Sequence, residues 1–477
     1  MSEPTRVKAS LWLGILLLGL WFRLPAQAVE LLPHLGSHHH AISTPDPLAQ
    51  AYFDQGLTLL YGFNHELARQ SFEEAIQRDP TCALCYWGVA MTWGSTLNTP
   101  MGSQALPPAQ AALRTAEAIV HQNPQVTPVE KALIQALHRR YWPDLSGDQL
   151  VPQTQRDPVY AAAMGQLTQK YPADGDIATL YADALMNLSP SNYWTKNGDA
   201  MPQTLAIQAT LESVLAQDPD HPGANHLYVH LLEDSSTPER ALTSAKRLET
   251  LVPGSGHLIH MASHLYCALG RYQDAYRVNL QAIRADEITP NGIPDPDHPS
   301  FYALAYGLHN WHVLIAAATR MGWQDIALQK ADLVRARIPV VAYQLAPGLA
   351  ELRTLPIQIL ASFEAWDPLL KLIKPSGQFP LETALWHWGR GLAWAHHQHP
   401  KAASLNWAKL KQLAQTPDLQ SLQPYSGIPV ASLLGAALDH LTQEIDRSQG
   451  FPGFDRGRDP IDWLPCSKRP DLMTSNL

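Results

Sequence analysis

The sequence predicts an all-α chain, a solenoid of antiparallel helix pairs. Two observations carry this. The first is a period: Pro219 and Pro253 lie 34 positions apart, as do Leu211 and Ala245, Val214 and Leu248, and the pairs His226/His260 and His230/His264. Self-similarity at that spacing marks a helix-turn-helix array. The second is size with composition. At 477 residues and 45% hydrophobic, the chain can bury ample apolar surface, and stacked helix pairs suit that length better than one core.

With Pro219 and Pro253 placed in slot 32 of the repeat, residues 222–255 put Val229, Ala241, Ala245 and Leu248 in slots 8, 20, 24 and 27. Residues 256–289 put Ser263, Tyr266, Ala275, Asn279 and Ala282 in slots 8, 11, 20, 24 and 27. Upstream, Gly56, Ala68, Phe72, Ala75 and Pro80 fill slots 8, 20, 24, 27 and 32. Tyr86, Ala90 and Trp93 then fill slots 4, 8 and 11 of the next unit. After an insert at 288–300, Gly322, Ala327, Ala331 and Val334 re-anchor the frame in slots 15, 20, 24 and 27, with Gly270 also in slot 15. These residues resemble the tetratricopeptide repeat (TPR). The resemblance covers 49–93 and 222–289 well, 308–341 fairly and 100–200 weakly. It implies a right-handed TPR-like α-solenoid whose concave groove holds ligands, commonly peptides or partner helices.

The segments follow in order. Arg6 and Lys8, the apolar run Ala9–Phe22 and Ala26-Gln27-Ala28 read as a cleavable secretory signal over 1–28. The expectation is an exported protein, periplasmic or extracellular, whose mature chain begins near Val29. Residues 29–48, rich in His and Pro, form an irregular leader. Helical repeats with loops occupy 49–200, central repeats 201–346, degenerate repeats 347–447 and an irregular tail 448–477. No segment after the signal is long and apolar enough to span a bilayer. A net charge of -9 with 16% charged residues and no basic stripe excludes a nucleic-acid partner.

Seven histidines share one face of three successive helices. Slots 2, 5 and 9 return to nearly the same angle on a helix. Over three units they hold Gly223, His226, His230, His257, His260, His264, His309, His312 and Ala316. Histidine supplies only 21 of 477 residues, so scatter does not account for seven in nine. Imidazoles at i and i+3 or i+4 can turn toward one metal ion. Slot 12 adds a carboxylate at Glu233 and a thiolate at Cys267. Three layers suit one or two ions, and imidazole donors suit copper, zinc or iron rather than magnesium or calcium. His221, Asn225 and Asn310 are placed to orient ligand rings.

Weaker signals surround this set. Pro33–His40 is a mobile leader whose histidines either capture metal or are incidental. Cys82 and Cys85 form a C-x-x-C without the βαβ context of a redox motif, so a structural disulfide or two thiols is expected. Cys267 and Cys466 are assigned no bridge. His65 and Glu66 sit at a turn, where a capping or surface role is expected. His387 falls near slot 4 or 5 of a degenerate repeat. There is no HExxH, GxSxG or phosphate-binding glycine loop. Two functions follow: a metal-binding groove for metal handling or metal-dependent chemistry, or a scaffold that binds a peptide or partner helix in the groove.

Overall fold

The computed structural model describes residues 29–142, 152–195, 197–295, 297, 300–423, 425, 428–450 and 466. The expected secretory signal at 1–28 and all but a few residues of the tail lie outside them. Among the described residues there are helices and two isolated bridges, Thr96 with Thr99 and Trp194 with Ala200, but no strand. The chain is an all-α, TPR-like solenoid. No described helix is long and apolar enough to cross a membrane.

The first helices are α1 (Pro47–Tyr61), α2 (His65–Arg78), α3 (Ala83–Met91), α4 (Leu106–Gln122), α5 (Pro128–Tyr141), α6 (Gln153–Lys170), α7 (Gly175–Met186) and α8 (Thr204–Gln217). The central block holds α9 (Pro222–Leu232), α10 (Leu242–Leu251), α11 (Gly256–Ala268), α12 (Tyr272–Ile288), α13 (Leu308–Arg320) and α14 (Gln324–Arg337). Then come α15 (Val340–Leu345), α16 (Leu355–Ser362), α17 (Trp366–Lys371), α18 (Pro380–His396), α19 (Pro400–Ala414), α20 (Pro417–Gln420) and α21 (Val430–Ser448).

Local chemistry sets the helix starts. Asp46 and Asp174 accept from backbone N–H groups of Leu48 and Ile177, and Thr127 with Glu130 makes a reciprocal capping box. Each satisfies donors that a helix start leaves unpaired. His221 caps α9 through its ring, Nδ1 accepting from the Ala224 N–H at 3.2 Å.

The turns between paired helices need one left-handed residue. Gly270 (φ +70°) and Gly322 (φ +76°) supply it in slot 15 of their units, where glycine carries no steric cost. Glu364 and Gln398, 34 positions apart, do the same in the degenerate repeats. In the first unit that slot is Phe63, at φ +57°, an arrangement that costs a bulky side chain on the order of 1–3 kcal/mol.

Slots 20, 24 and 27 are buried in the central units: Ala241, Ala245 and Leu248, then Ala275, Asn279 and Ala282, then Ala327, Ala331 and Val334, each at 0% exposure. One large core runs from Leu35 to Ile359 and takes in Tyr425 and Cys466, and a second fills the C-terminal repeats. Helices that are neighbours in sequence pack together, as in any solenoid. In addition α1 packs against α9, bringing the first unit back onto the histidine-bearing block.

Both cysteine pairs are disulfides, Cys82–Cys85 and Cys267–Cys466. The second corrects the expectation of no bridge: Cys466 is bonded to Cys267 of α11 although 199 positions separate the two residues. The leader is also corrected. It is irregular but fixed to the solenoid, with Leu32 N–H donating to Gln55 and Gly254 N–H donating to the His34 carbonyl. His65 turns inward, its Nδ1 3.0 Å from the Thr92 carbonyl, and Asn64 is the cap.

The Phe72 ring, fully buried, lies between Gly56 and Gly88, where an added Cβ would come within 2.7 and 2.6 Å of it. Replacing Gly88 with alanine is therefore expected to destabilise the chain by about 1–3 kcal/mol through overpacking. Denaturant unfolding would show this as a lower midpoint with an unchanged slope.

Candidate metal centre

The histidines of the shared face do not line an open groove. His226, His230, His257, His260, His264, His309 and His312 are all 5% exposed or less. This corrects the expected geometry: the turn between α1 and α2 and the segment before α13 close over them. The Phe63 ring centre lies 4.5 Å from that of His226, 6.1 Å from His230 and 5.5 Å from His257. The Tyr306 ring, in a single π-turn at Ala303–Gly307, lies 4.5 Å from His257.

Six of the seven form two triads. His226 and His230 of α9 meet His257 of α11, while His260 and His264 of α11 meet His309 of α13. Within each triad the candidate ligand nitrogens all lie within 4.8 Å of one another. The repeat explains this, since slots 5 and 9 of one helix face slot 2 of the next. His312 belongs to neither set, its ring centre lying 6.4 Å from His309 and 6.1 Å from Tyr425.

Hydrogen bonds fix which ring nitrogen carries the proton. His226 Nδ1 lies 2.6 Å from the Tyr61 carbonyl, which can only accept. His260 Nδ1 lies 2.6 Å from Asn279 Oδ1, and the Asn279 amide is oriented by its Nδ2, which donates to the Ala275 carbonyl at 2.7 Å. His230 Nδ1 is 3.0 Å from Glu233 Oε1, while His264 Nδ1 lies 2.8 Å from Glu233 Oε2 as an ion-pair contact without hydrogen-bond geometry. In a neutral ring the nitrogen facing an acceptor holds the hydrogen, and the other offers a lone pair. His226, His230 and His260 therefore present Nε2 as the lone-pair nitrogen.

The consequence is sharpest in the second triad. His260 Nε2 and His264 Nε2 are 2.9 Å apart, so the lone pair of His260 Nε2 is met there either by a proton on His264 Nε2 or by a metal ion between the two rings. A metal ion bound at about 2.0–2.1 Å reaches both, since it spans donors up to about 4 Å apart. Neither nitrogen of His257 or His309 meets a hydrogen-bond partner among the described residues. Burying such groups unsatisfied costs about 1–3 kcal/mol each. Burial, and then the positive charge neighbouring rings would carry, holds His257 and His309 well below the ordinary value of 6.5 and brings His260 to about 3. Burial alone brings His312 to about 4. In His257, His260, His309 and His312 neutral imidazole, the form that binds metal, therefore persists at neutral pH.

The other expected ligands divide. Glu233 sits behind the rings and orients one from each triad, the carboxylate–histidine arrangement of metal sites. Cys267 is bonded to Cys466 and offers no thiolate, which corrects its place in the ligand set. The expected orienting residues are elsewhere: Asn225 donates to the Pro219 and His221 carbonyls, and Asn310 to Asp286. Asn279 and the Tyr61 carbonyl take that part instead. His387 lies 2.9 Å from Asn406 Oδ1, with the same 19-residue separation as His260 and Asn279, which places it in slot 5.

A separate cluster lies on a cavity of about 840 Å³ lined by leader residues, α7 and the start of α9. There Asp176 meets His38 at 2.9 Å, His40 at 2.8 Å, His221 at 3.2 Å and the Tyr61 hydroxyl at 2.6 Å. His221 Nδ1 accepts from the Ala224 N–H, so its proton sits on Nε2 and points at Asp176. This is a hydrogen-bonded carboxylate, chemically unlike the triads, and it latches the leader to α7.

Burial would raise Asp176, but hydrogen bonds from His221, His38 and His40 hold it well below 3.8. Burial would lower His40, but its hydrogen bond to Asp176 and that carboxylate's charge carry it above 6.5. The Asp176 contribution is present above pH 3.8 and is lost as pH falls through its depressed value. The His40 contribution is complete below pH 6.5 and is lost as pH rises through its raised value. Protection of residues 29–45 from limited proteolysis is thus expected to be greatest between about pH 4 and 6.5 and to fall on the alkaline side. Asp176→Ala should abolish that pH dependence.

No protein family profile matches the chain, and no curated protein matches it. Among solved structures it is similar to the human IFIT1 dimer with m7Gppp-AAAA, at 14% identity over 88% of this chain and 91% of that one, TM-score 0.38. It is also similar to yeast Tom70, at 11% identity over 83% and 90%, TM-score 0.31. The P58(IPK) TPR domain is similar at 13% identity over 84% and 99%, TM-score 0.20. Likeness at this level carries no argument about ligand or partner.

Proposed function

We propose that the chain is a metal-binding repeat protein that holds two transition-metal ions, one in each triad. The observation that carries this is the gathering of six buried histidines into two sets whose candidate ligand nitrogens lie within 4.8 Å of one another, with His260 Nε2 and His264 Nε2 2.9 Å apart. Copper, zinc and iron all suit imidazole donors. The alternative, a scaffold holding a peptide in the concave face, needs these side chains to reach the peptide, and their burial favours metal. Partner binding through other faces of the array is compatible with the metal reading.

The chain is read as an exported protein on its N-terminal segment, so the ions are acquired outside the cytoplasm for storage or delivery. Two buried sets of neutral donors suit retention of an ion more than turnover of a substrate.

Elemental analysis by mass spectrometry is the test, on mature protein purified without a histidine tag or metal column. The expected content is two equivalents, falling to one in His260→Ala/His264→Ala and to one in His226→Ala/His230→Ala. Unchanged retention in either double variant would sink the assignment of that triad. Absence of any bound ion after incubation and dialysis would remove the metal reading altogether.

A further inference from the structure

The leader carries a further set of candidate ligands that the triads do not use. His38 and His40 come from one irregular segment and reach Asp176 of α7 at its two oxygens, His38 Nε2 at 2.9 Å from Oδ1 and His40 Nδ1 at 2.8 Å from Oδ2. All three side chains are 12% exposed or less. Ligand atoms around an ion at about 2.0–2.2 Å sit about 3–3.5 Å from one another, so these contacts are close to the edges of a coordination sphere. Asp174, whose Oδ1 accepts from the Ile177 N–H, brings a second carboxylate into reach, with an oxygen within 4.8 Å of the candidate ligand atoms of His40 and Asp176.

Asp176 is also held from behind. The Tyr61 hydroxyl at 2.6 Å and His221 Nε2 at 3.2 Å both meet Oδ1, while Oδ2 faces His40. Hydrogen bonds of this kind orient a ligating carboxylate. One side of the set is open, since His38 and Asp176 line the cavity of about 840 Å³. The same wall carries Asp174, Asp218 and Asp220, of which Asp220 is paired with Arg247 at 3.5 Å. Carboxylates gathered on a concave surface attract cations. Two imidazoles and a carboxylate with coordination positions left open suit a divalent first-row ion.

We propose that His38, His40 and Asp176 form a third metal site, mixed in its donors and open on one side, that binds a divalent transition-metal ion reversibly. The latch and the filled site are alternative states of the same atoms. An ion takes the place of the two hydrogens shared with Asp176, and each ring meets it as its other neutral tautomer. No triad residue takes part, so the site stands whether or not the triads hold ions. Unlike the closed triads it exchanges its ion with the medium, and when filled it clamps the leader to α7.

The test uses the full mature chain at pH 7 with zinc(II) as the probe. After equilibrium dialysis against zinc(II) chloride, the bound metal of the unaltered chain is compared with that of His38→Gln/His40→Asn. Glutamine sets an amide N–H near the place of Nε2 and asparagine near that of Nδ1, so the variant keeps donors to Asp176 and loses both imidazoles. The unaltered chain is expected to hold one equivalent more than the variant. Zinc(II) at about ten times its half-filling concentration is also expected to slow proteolytic cleavage of residues 29–45 of the unaltered chain about tenfold.

Equal zinc in the two chains would overturn the proposal. So would cleavage of the unaltered leader at one rate with and without zinc, a measurement that decides even if the variant's leader comes loose. Failure of the triads is a separate result: zinc missing from them, with the difference of one equivalent still present, removes the proposed function and leaves the leader site in place.

Discussion

Six imidazoles gathered into two buried triads are the constraint around which the rest of this molecule is arranged. His260 and His264 are one helical turn apart on α11, and their Nε2 atoms meet because each Nδ1 is held from behind, by Asn279 and by Glu233. Those holding groups are fixed in turn: Asn279 by its bond to Ala275, and Glu233 by its position at the C-terminal end of α9. Polar groups this deeply buried are tolerated only where something satisfies them. On the proposed metal reading the arrangement is a socket for cations, whereas as an apolar core it would be expensive.

Placement of the socket follows from the repeat. Each unit offers slots 5 and 9 from one helix and slot 2 from the next, so two stacked interfaces generate two like triads without any special loop. The departures from regularity fall where the rings must be covered. Phe63 occupies a left-handed position that glycine fills in the units of α11 and α13, and its ring lies on the first triad. The π-turn at Ala303–Gly307 delivers Tyr306 to His257, in keeping with the tendency of such bulges to appear at functional sites.

Much of this was legible in the sequence, for identifiable reasons. The spacing of Pro219 and Pro253 fixes slots that the structure finds buried, from Phe72 between its two glycines to the alanines of α10, α12 and α14. The glycines at 270 and 322 mark turns whose backbone demands them. That the six histidines of the triads share one helical face follows from helical angle alone.

What could not be read off depends on contacts between distant segments or on backbone atoms. The Tyr61 carbonyl orients His226 across 165 positions, and no side-chain pattern announces a carbonyl. Cys466 finds Cys267 in a stretch without periodicity. The leader looked mobile because its composition is irregular, yet Asp176 collects His38 and His40 from more than 130 positions away. Asn279 was visible as an oddity, an amide in a packing slot, and with its partner His260 it is repeated by Asn406 and His387.

The packing of α1 against α9 changes what kind of object the array is. A solenoid ordinarily behaves as a one-dimensional stack in which each unit stabilises only its neighbours, so that folding starts anywhere and fragments survive. Here the first unit supplies the Tyr61 carbonyl and the Phe63 cover to a site built by units some 165 positions later. The coil is thereby closed into a loop of dependence, and its assembly carries the slow, non-local search typical of high contact order. A chain still emerging, or clipped near its N-terminus, has the histidine-bearing helices but not their cover. Completion of the fold and completion of the socket become one event.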